Sequence, residues 1–165
     1  MSDMNETHVL IALVEDRPGV MQRVSGLFRK RNFNIDSITV GRSEKEGISR
    51  MTLTVRGDQR ILEQVMKQLN KLIEVLKVTQ VEGADSVMRE LALVKISTKD
   101  QNSRAEIVQY VNIFRGRIVD AGKDSLIVEI TGDSERIGAF VNLVSAFGIK
   151  ELAKTGVTAM TRGTK

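Results

Sequence analysis

The chain has 165 residues, of which 41% are hydrophobic and 28% charged, with no cysteine, no tryptophan and one histidine. This composition is typical of a globular protein, and the length accommodates one ordinary domain or two small ones. The lack of cysteine excludes disulfides, thiolate nucleophiles and sulfur-ligated zinc. No apolar run reaches the roughly 18 residues that a membrane span needs, and the polar residues 1–6 predict no signal peptide. We therefore expect a cytoplasmic protein that contacts no membrane.

The net charge of +4 is spread evenly along the chain. Residues 1–82 contain 13 basic and 11 acidic residues, and residues 83–165 contain 12 and 10, so each half carries +2. A nucleic-acid-binding domain would concentrate its positive charge on one region. The tight basic cluster at residues 29–31 falls at the end of a predicted helix, where cations offset the helix dipole. The charge pattern therefore favours a protein that binds no nucleic acid.

The first half of the chain predicts the element order β-α-β-β-α-β. Strands are expected over residues 8–14, 33–42, 48–56 and 74–81, because apolar residues run together or alternate with polar ones there. Pro18 suits the first position of the first helix, which is expected to end near residue 32. Asp58, which follows the strand-ending Gly57, is expected to cap the second helix.

The second half predicts the same order after a linker at residues 82–86. Strands are expected over residues 91–96, 117–121, 126–131, 149–153 and 157–161. Ser103 and Glu106 have the spacing of a capping box for the first helix of this half, and Gly116 stands where a C-cap glycine would. Gly132 and Asp133 open the second helix, as Gly57 and Asp58 do in the first half.

This repetition predicts an α+β fold with two ferredoxin-like βαββαβ domains in tandem, over residues 1–82 and 83–165. An apolar-Phe-Arg triplet also ends the first predicted helix of both halves, at residues 27–29 and 113–115. A sheet with helices on one face leaves its other face and its edges uncovered. We therefore expect pairing between domains or between chains, and predict an oligomer.

Several functions of this fold need residues that the chain lacks. An RNA-recognition domain stacks bases on aromatic side chains of its central strands, and residues 8–14 and 50–56 contain none. A metal-carrying domain needs thiolates. His8 opens a strand with no second histidine to share a metal, which favours a structural role. An enzyme in its own right is a third possibility, because carboxylates and hydroxyls are common in the chain. No Ser-His-Asp or paired-carboxylate signature stands out, so this interpretation would need turnover by the isolated chain.

The first strand-to-helix turn is the best candidate for a binding site. A helix N-terminus offers free N–H groups and a positive dipole to a carboxylate, and Gly19 lets a ligand approach the backbone. Asn34, at the start of a neighbouring strand, can both donate and accept a hydrogen bond. Together they would suit an amino acid, with side-chain oxygens for the ammonium group. An ordinary Pro-Gly turn and an ordinary strand opener remain the alternative for these residues.

The turn and the strand after the helix resemble the ACT domain, a small-molecule sensor of amino-acid metabolism. The residues that carry this resemblance are 16–20 (Asp-Arg-Pro-Gly-Val) and 31–35 (Arg-Asn-Phe-Asn-Ile). Segments in the second half extend the resemblance to the regulatory (small) subunits of acetohydroxyacid synthase, also called acetolactate synthase, over about residues 8–163. They are residues 93–96 (Leu-Val-Lys-Ile), 114–120 (Phe-Arg-Gly-Arg-Ile-Val-Asp) and 155–157 (Thr-Gly-Val).

The resemblance implies a non-catalytic subunit with no cofactor of its own. Its partner would be the large catalytic subunit, which carries thiamine diphosphate, Mg²⁺ and FAD. The small subunit would raise the activity of that partner and confer feedback inhibition by valine, or by leucine or isoleucine. It would form a homodimer through its ACT domains, with the effector at their interface.

The resemblance also implies the effector-binding residues. The backbone N–H groups of Gly19, Val20 and Met21, after Pro18, would bind the carboxylate of the effector. Asn34 and Ile35 would line the site from the adjacent chain. Asp16 departs from the family, because relatives often have asparagine there, and its carboxylate would either favour the ammonium or repel the carboxylate of the ligand.

The runner-up function is a free-standing amino-acid-sensing regulator with tandem ACT domains and no enzyme partner. No helix-turn-helix motif is evident in the sequence, which counts against direct DNA binding. Co-purification with a large thiamine-dependent subunit would separate the two.

Overall fold

The computed structural model describes residues 6–163, so the predicted lack of a signal peptide rests on residues that lie almost wholly outside it. The described chain folds into two compact units. The first unit comprises the described residues up to Val87 together with those from Gly156 onward, and the second comprises Met88–Thr155. The predicted functional domains, residues 1–82 and 83–165, stay a prediction. The compact units differ from them chiefly because the residues from Gly156 onward pack in the first unit.

The first unit contains a four-stranded antiparallel sheet with two helices on one face. Its strands stand in the order β2-β3-β1-β4. The elements are β1 (Thr7–Glu15), α1 (Val20–Arg31), β2 (Asn34–Arg42), β3 (Ile48–Arg56), α2 (Gln59–Leu69) and β4 (Val75–Val81). Because β1 and β2 both run antiparallel to β3, they are parallel to each other, and β2 is an edge strand.

The core of this unit forms where alternate strand residues meet the apolar stripes of the helices. Leu10, Met51 and Leu53 are fully buried against α1 and α2, where they meet Phe28 and Leu62. Full burial of such a side chain contributes about 1.5–3 kcal/mol. Met51, Leu53 and Val55 alternate with polar residues along β3, which is the pattern of a strand with one face on the core.

The termini of the helices are set by capping residues and by backbone conformation. Asp58 caps α2 as predicted, with its side chain accepting a hydrogen bond from the N–H of Ile61 at 2.8 Å. The predicted start of α1 at Pro18 is wrong, because Pro18 lies in the turn and Gly19 is the N-cap. Gly19 has φ 90°, close to the third residue of a type II turn, in which proline favours the second position.

The second unit repeats the strand order of the first, as β6-β7-β5-β8. Its core is built from β5, β7 and the two helices, with Ala92, Val94, Val128 and Phe140 fully buried. The elements are β5 (Ser86–Ser97), which begins at the end of the first unit, α3 (Gln101–Ile113), β6 (Arg117–Ala121), β7 (Ser125–Gly132), α4 (Ser134–Val144), a short 3₁₀ helix (Ser145–Phe147) and β8 (Ile149–Lys154). The tandem ferredoxin-like fold predicted from the sequence is thereby confirmed.

Two details of the second unit differ from the prediction. The capping box of α3 is formed by Asp100 and Ser103, not by Ser103 and Glu106, because the helix begins earlier than its apolar stripe suggests. At the other end of α3, Arg115 takes the left-handed conformation (φ 52°) expected of Gly116. Gly116 instead provides close approach, since a Cβ there would lie 3.1 Å from the carbonyl oxygen of Glu129.

The C-terminal segment (residues 156–163), which contains β9 (Thr158–Thr161), packs within the first unit. The side chains of Val157 and Ala159 are buried, and the Arg50 guanidinium donates to the carbonyl oxygen of Ala159 at 3.0 Å. A Cβ on Gly156 would lie 2.7 Å from Oγ1 of Thr39 on β2. This segment therefore rests directly on the edge strand of the first sheet.

Candidate functional site

The turn between β1 and α1 is exposed and held open by its backbone conformation. The N–H of Asp16 donates to the carbonyl oxygen of Gly47 at 2.8 Å, which fixes the start of the turn. A Cβ built on Gly19 would meet no heavy atom within 4 Å, so the space beside this residue is free. The backbone at Gly19 is therefore accessible, and a ligand at this turn stays a prediction.

The N-terminus of α1 differs from those of the other α-helices in residues 6–163. Helices α2, α3 and α4 are capped by the side chains of Asp58, Asp100 and Asp133, whereas no side chain caps α1. The first N–H groups of a helix have no partner within the helix. Val20 and Met21 begin α1, so their N–H groups can bind an anion without displacing a cap.

A groove opens beside this helix terminus and contains two arginines over one buried carboxylate. It is lined by Arg17, Pro18, Gly19, Gln22, Arg23 and Glu74. The Arg23 guanidinium lies 2.7 Å from Oε1 of Glu74, which is 5% exposed, and Arg17 lies 2.6 Å from Glu15 and 3.7 Å from Glu74. These ion pairs fix the two arginines in the groove that Gly19 also lines.

Asp16 forms an ion pair with the last residue of the edge strand β2. The Arg42 guanidinium donates through Nε to Oδ2 of Asp16 at 3.2 Å. Arg42 is the last residue of β2, and its neighbour across the sheet, Ser49, pairs in turn with Val14 near the end of β1. The end of β2 and the turn after β1 therefore lie at the same end of the sheet.

Asn34 and Ile35 lie at the opposite end of the same sheet. Asn34 pairs with Arg56, which pairs with Thr7 at the start of β1, whereas the turn follows Glu15 at its end. At about 3.3 Å per residue, the length of β1 separates the two sets by roughly 26 Å. Strand β2 neighbours β3 and not β1, so the assumption that Asn34 opens the strand next to the one before the turn is wrong. That Asn34 and Ile35 line the site from an adjacent chain stays a prediction.

The structure thus places the predicted residues in two groups. Asp16, Pro18, Gly19, Val20 and Met21 are adjacent, with Val20 buried and Met21 41% exposed. Asn34 is exposed, and Ile35 packs partly against the core. Residues that the sequence reasoning missed are Arg23, Arg42 and Glu74, because a lone charged residue on a helix face or at a strand end carries no periodic signal.

Metal sites and membrane-spanning helices are the other features considered for the described residues. Residues 6–163 contain no group of three or more His, Cys, Asp or Glu side chains arranged to hold a metal ion. Within these residues, no helix has the length and hydrophobicity to cross a membrane. Among the described residues, the turn before α1 is the candidate site.

Comparison with known proteins shows where this architecture is shared. Residues 10–77 match the model of the "AHAS small subunit-like ACT domain", and residues 89–163 match that of the "small subunit of acetolactate synthase". The probable acetolactate synthase small subunit of Methanothermobacter thermautotrophicus is 60% identical over 97% of this chain and 95% of its own. The small subunit of Mycolicibacterium smegmatis is 46% identical over 99% of this chain and 95% of its own.

A solved structure agrees with these sequence relatives. The crystal structure of the acetolactate synthase small subunit from Thermotoga maritima has a TM-score of 0.90 and 43% identity, and the match covers 97% of this chain and 99% of that one. Relatives this similar over nearly the whole length establish family and fold together. The chain therefore belongs to the family of acetolactate synthase small subunits, and this membership implies a regulatory subunit that works with a catalytic partner.

Proposed function

We propose that the chain activates the large catalytic subunit of acetolactate synthase and confers feedback inhibition by valine, or by leucine or isoleucine. Thiamine diphosphate, Mg²⁺ and FAD would belong to the catalytic subunit, and both subunits would be cytoplasmic. The observation that carries the effector proposal is the uncapped N-terminus of α1, which begins at Val20 and opens onto the groove. A free helix N-terminus is a site for a carboxylate.

The effector would bind with its carboxylate at the start of α1. The N–H groups of Gly19, Val20 and Met21 would donate to it, while Pro18 restricts the turn that presents them. Valine, leucine and isoleucine share this carboxylate and differ in a small apolar side chain. Ile35 and Met21 supply apolar surface of matching chemistry, but they are not close together within one chain.

A homodimer would bring the two groups of residues together. Among residues 6–163, strand β2 pairs with β3 on one side and with no strand on the other, and Val40 is 42% exposed. Such sheet edges tend to pair with another strand. If the β2 strands of two copies pair antiparallel, the start of one lies beside the end of the other. Asn34 and Ile35 of a second copy would then lie at the end of the sheet that carries Gly19. The separation of about 26 Å within one chain favours this dimer.

Inhibition requires that the effector bind one arrangement of the complex more tightly than another. A coupling free energy of about 1–3 kcal/mol is typical of such regulation. The effector would change the packing of the paired ACT domains (residues 1–82), and the second domain (residues 83–165) would help to transmit that change to the catalytic subunit.

The first test is a thermal-shift screen of the isolated chain against the common amino acids. A ligand at about 100 times its Kd adds about 2.7 kcal/mol to the free energy of unfolding, which raises Tm by several degrees. A shift with valine, leucine or isoleucine alone is the expected result. No shift with any of them, either alone or in the presence of the catalytic subunit, would contradict the proposed effector site.

Affinity purification of the tagged chain from its native cells tests the proposed partner. Co-purification of a large thiamine-dependent subunit supports the proposed function. A tagged chain that co-purifies with no such subunit would contradict it.

A further inference from the structure

The turn before α1 places a negative charge where a carboxylate ligand is expected. Asp16 lies three residues before Gly19, and its side chain is 38% exposed. An unpaired carboxylate at this position would repel a ligand carboxylate, because like charges disfavour each other at short range. The charge of Asp16 must therefore be balanced if the turn is to accept an amino acid.

The charges around the turn are balanced one for one. Three carboxylates and three guanidiniums form its ion pairs: Glu15, Asp16 and Glu74 with Arg17, Arg23 and Arg42. Arg17 and Arg23 are engaged by Glu15 and Glu74. Arg42 is the guanidinium that pairs with Asp16, with Nε 3.2 Å from Oδ2.

Arg42 lies where the edge strand β2 meets the β2–β3 loop. It ends β2, and the N–H of Asp16 binds the carbonyl oxygen of Gly47 at the other end of the β2–β3 loop. The side chain of Asp16 therefore contacts the start of this loop at Arg42, and its backbone contacts the end of the loop at Gly47. The pair connects the turn to the edge strand without covering Gly19, whose surroundings stay open.

We infer that Arg42 increases the preference of the turn for a carboxylate-bearing ligand, by neutralising Asp16. This inference rests on the proposed function, in which an amino acid binds at the N-terminus of α1. Replacement of Arg42 by alanine changes the sum of these six charges from zero to −1. Replacement of Asp16 by asparagine in addition returns the sum to zero. Arg42 acts on the ligand only through Asp16, whose charge it neutralises, so it is a positioning residue and does not itself bind the ligand.

The test is calorimetric titration of the full chain with valine and with valine amide, which lacks the carboxylate. Because Arg42 is 89% exposed, solvent screens the pair and the effect is modest. R42A is expected to weaken valine binding about 2- to 5-fold at low salt, and less at high salt. R42K keeps the charge and is expected to bind as the unchanged protein does. The double variant D16N/R42A is expected to return to the original affinity for valine. R42A is not expected to weaken binding of valine amide.

The outcomes separate this inference from the proposed function. If the unchanged protein binds valine and R42A binds it equally well, or if D16N does not restore the affinity of R42A, the role of Arg42 is wrong and the effector site stands. If R42A weakens valine and valine amide alike, Arg42 acts on shape and not on charge, which also overturns the inference. If the unchanged protein binds no branched-chain amino acid, even with the catalytic subunit present, the proposed function itself fails.

Discussion

The two units share a strand-to-helix junction that is uncapped in the first unit and capped by a side chain in the second. In each, a central strand leads into the first helix of a βαββαβ fold. In the first unit this junction is the Gly19 turn, with φ 90° and no side-chain cap. In the second it is Asp100, whose carboxylate accepts from the N–H of Ser103 at 2.7 Å while the Ser103 hydroxyl accepts from the N–H of Asp100 at 3.2 Å. At the N-terminus of α3 the carboxylate of Asp100 therefore accepts a backbone N–H, whereas no side chain does so at the N-terminus of α1.

This difference shows that a repeated fold need not repeat its site. Both helices begin with N–H groups that need an acceptor. The chain supplies that acceptor in α3 and leaves it out in α1, where the open space beside Gly19 would admit a ligand. The units also differ in their assembly, since the first is built from two separated segments of chain and the second from one.

Making the first junction resemble the second is expected to have the largest effect. G19D places a carboxylate beside the N-terminus of α1, where the carboxylate of the effector is proposed to bind. Repulsion at about 4 Å and an effective dielectric constant near 20 is worth about 4 kcal/mol, so valine affinity should fall by at least 100-fold. Valine inhibition of the reconstituted enzyme should disappear, with activation of the catalytic subunit largely retained.

The matched control is G19N, because asparagine has the same shape without the charge and tolerates positive φ as well as aspartate does. It should bind valine more tightly than G19D under the same conditions. Valine inhibition that persists in G19D would place the effector elsewhere.

The two-segment assembly of the first unit predicts the next largest effect. In G156A the new Cβ would lie 2.7 Å from Oγ1 of Thr39 and 2.9 Å from Cβ of Ser37, so the C-terminal segment must move away from β2. Overpacking of this kind costs about 1–3 kcal/mol, which denaturant unfolding can measure.

G26A is the matched control, because Gly26 lies within α1 and a Cβ there meets no heavy atom within 4 Å. Removal of a helical glycine should stabilise the same unit by up to about 1 kcal/mol. Equal stability of G156A and the unchanged protein would mean that the segment does not press on β2.

The smallest expected effect concerns acid stability of the second junction. The backbone N–H of Ser103, followed by its hydroxyl, lowers the pKa of Asp100 below its usual range. The folded pKa is therefore lower than the unfolded pKa of about 3.9. The stabilisation is present above the unfolded pKa and is lost as the pH falls through the folded pKa.

D100N should flatten the decline of Tm below about pH 4, because asparagine does not titrate there. Valine binding should not change, since Asp100 belongs to the second unit. Tm profiles of D100N and the unchanged protein that coincide from neutral to acid pH would contradict the assigned role of this cap.

Local rules read from the sequence were accurate where the stabilising groups are neighbours in the chain. Asp58 and Asp133 cap their helices because a side chain and the N–H three residues on are always within reach. The same rules were less accurate at the starts of α1 and α3. An apolar stripe shows which face is buried, and it does not show how many exposed residues precede it in the helix. Ser103 was misplaced for that reason. Pro18 was misplaced because the positive φ of Gly19 places both residues in a turn before the helix.

The sequence by itself determined the two βαββαβ units, their cores and the turn at Gly19, because strand alternation, helical stripes and glycine conformation are local properties. Three features were decided only by the tertiary structure. They are the return of residues 156–163 to the first unit, the pairing of Asp16 with Arg42, and the separation of Asn34 from Gly19 by the length of β1. The physical reason is that the register and order of strands bring distant residues together, and no local pattern records which ones.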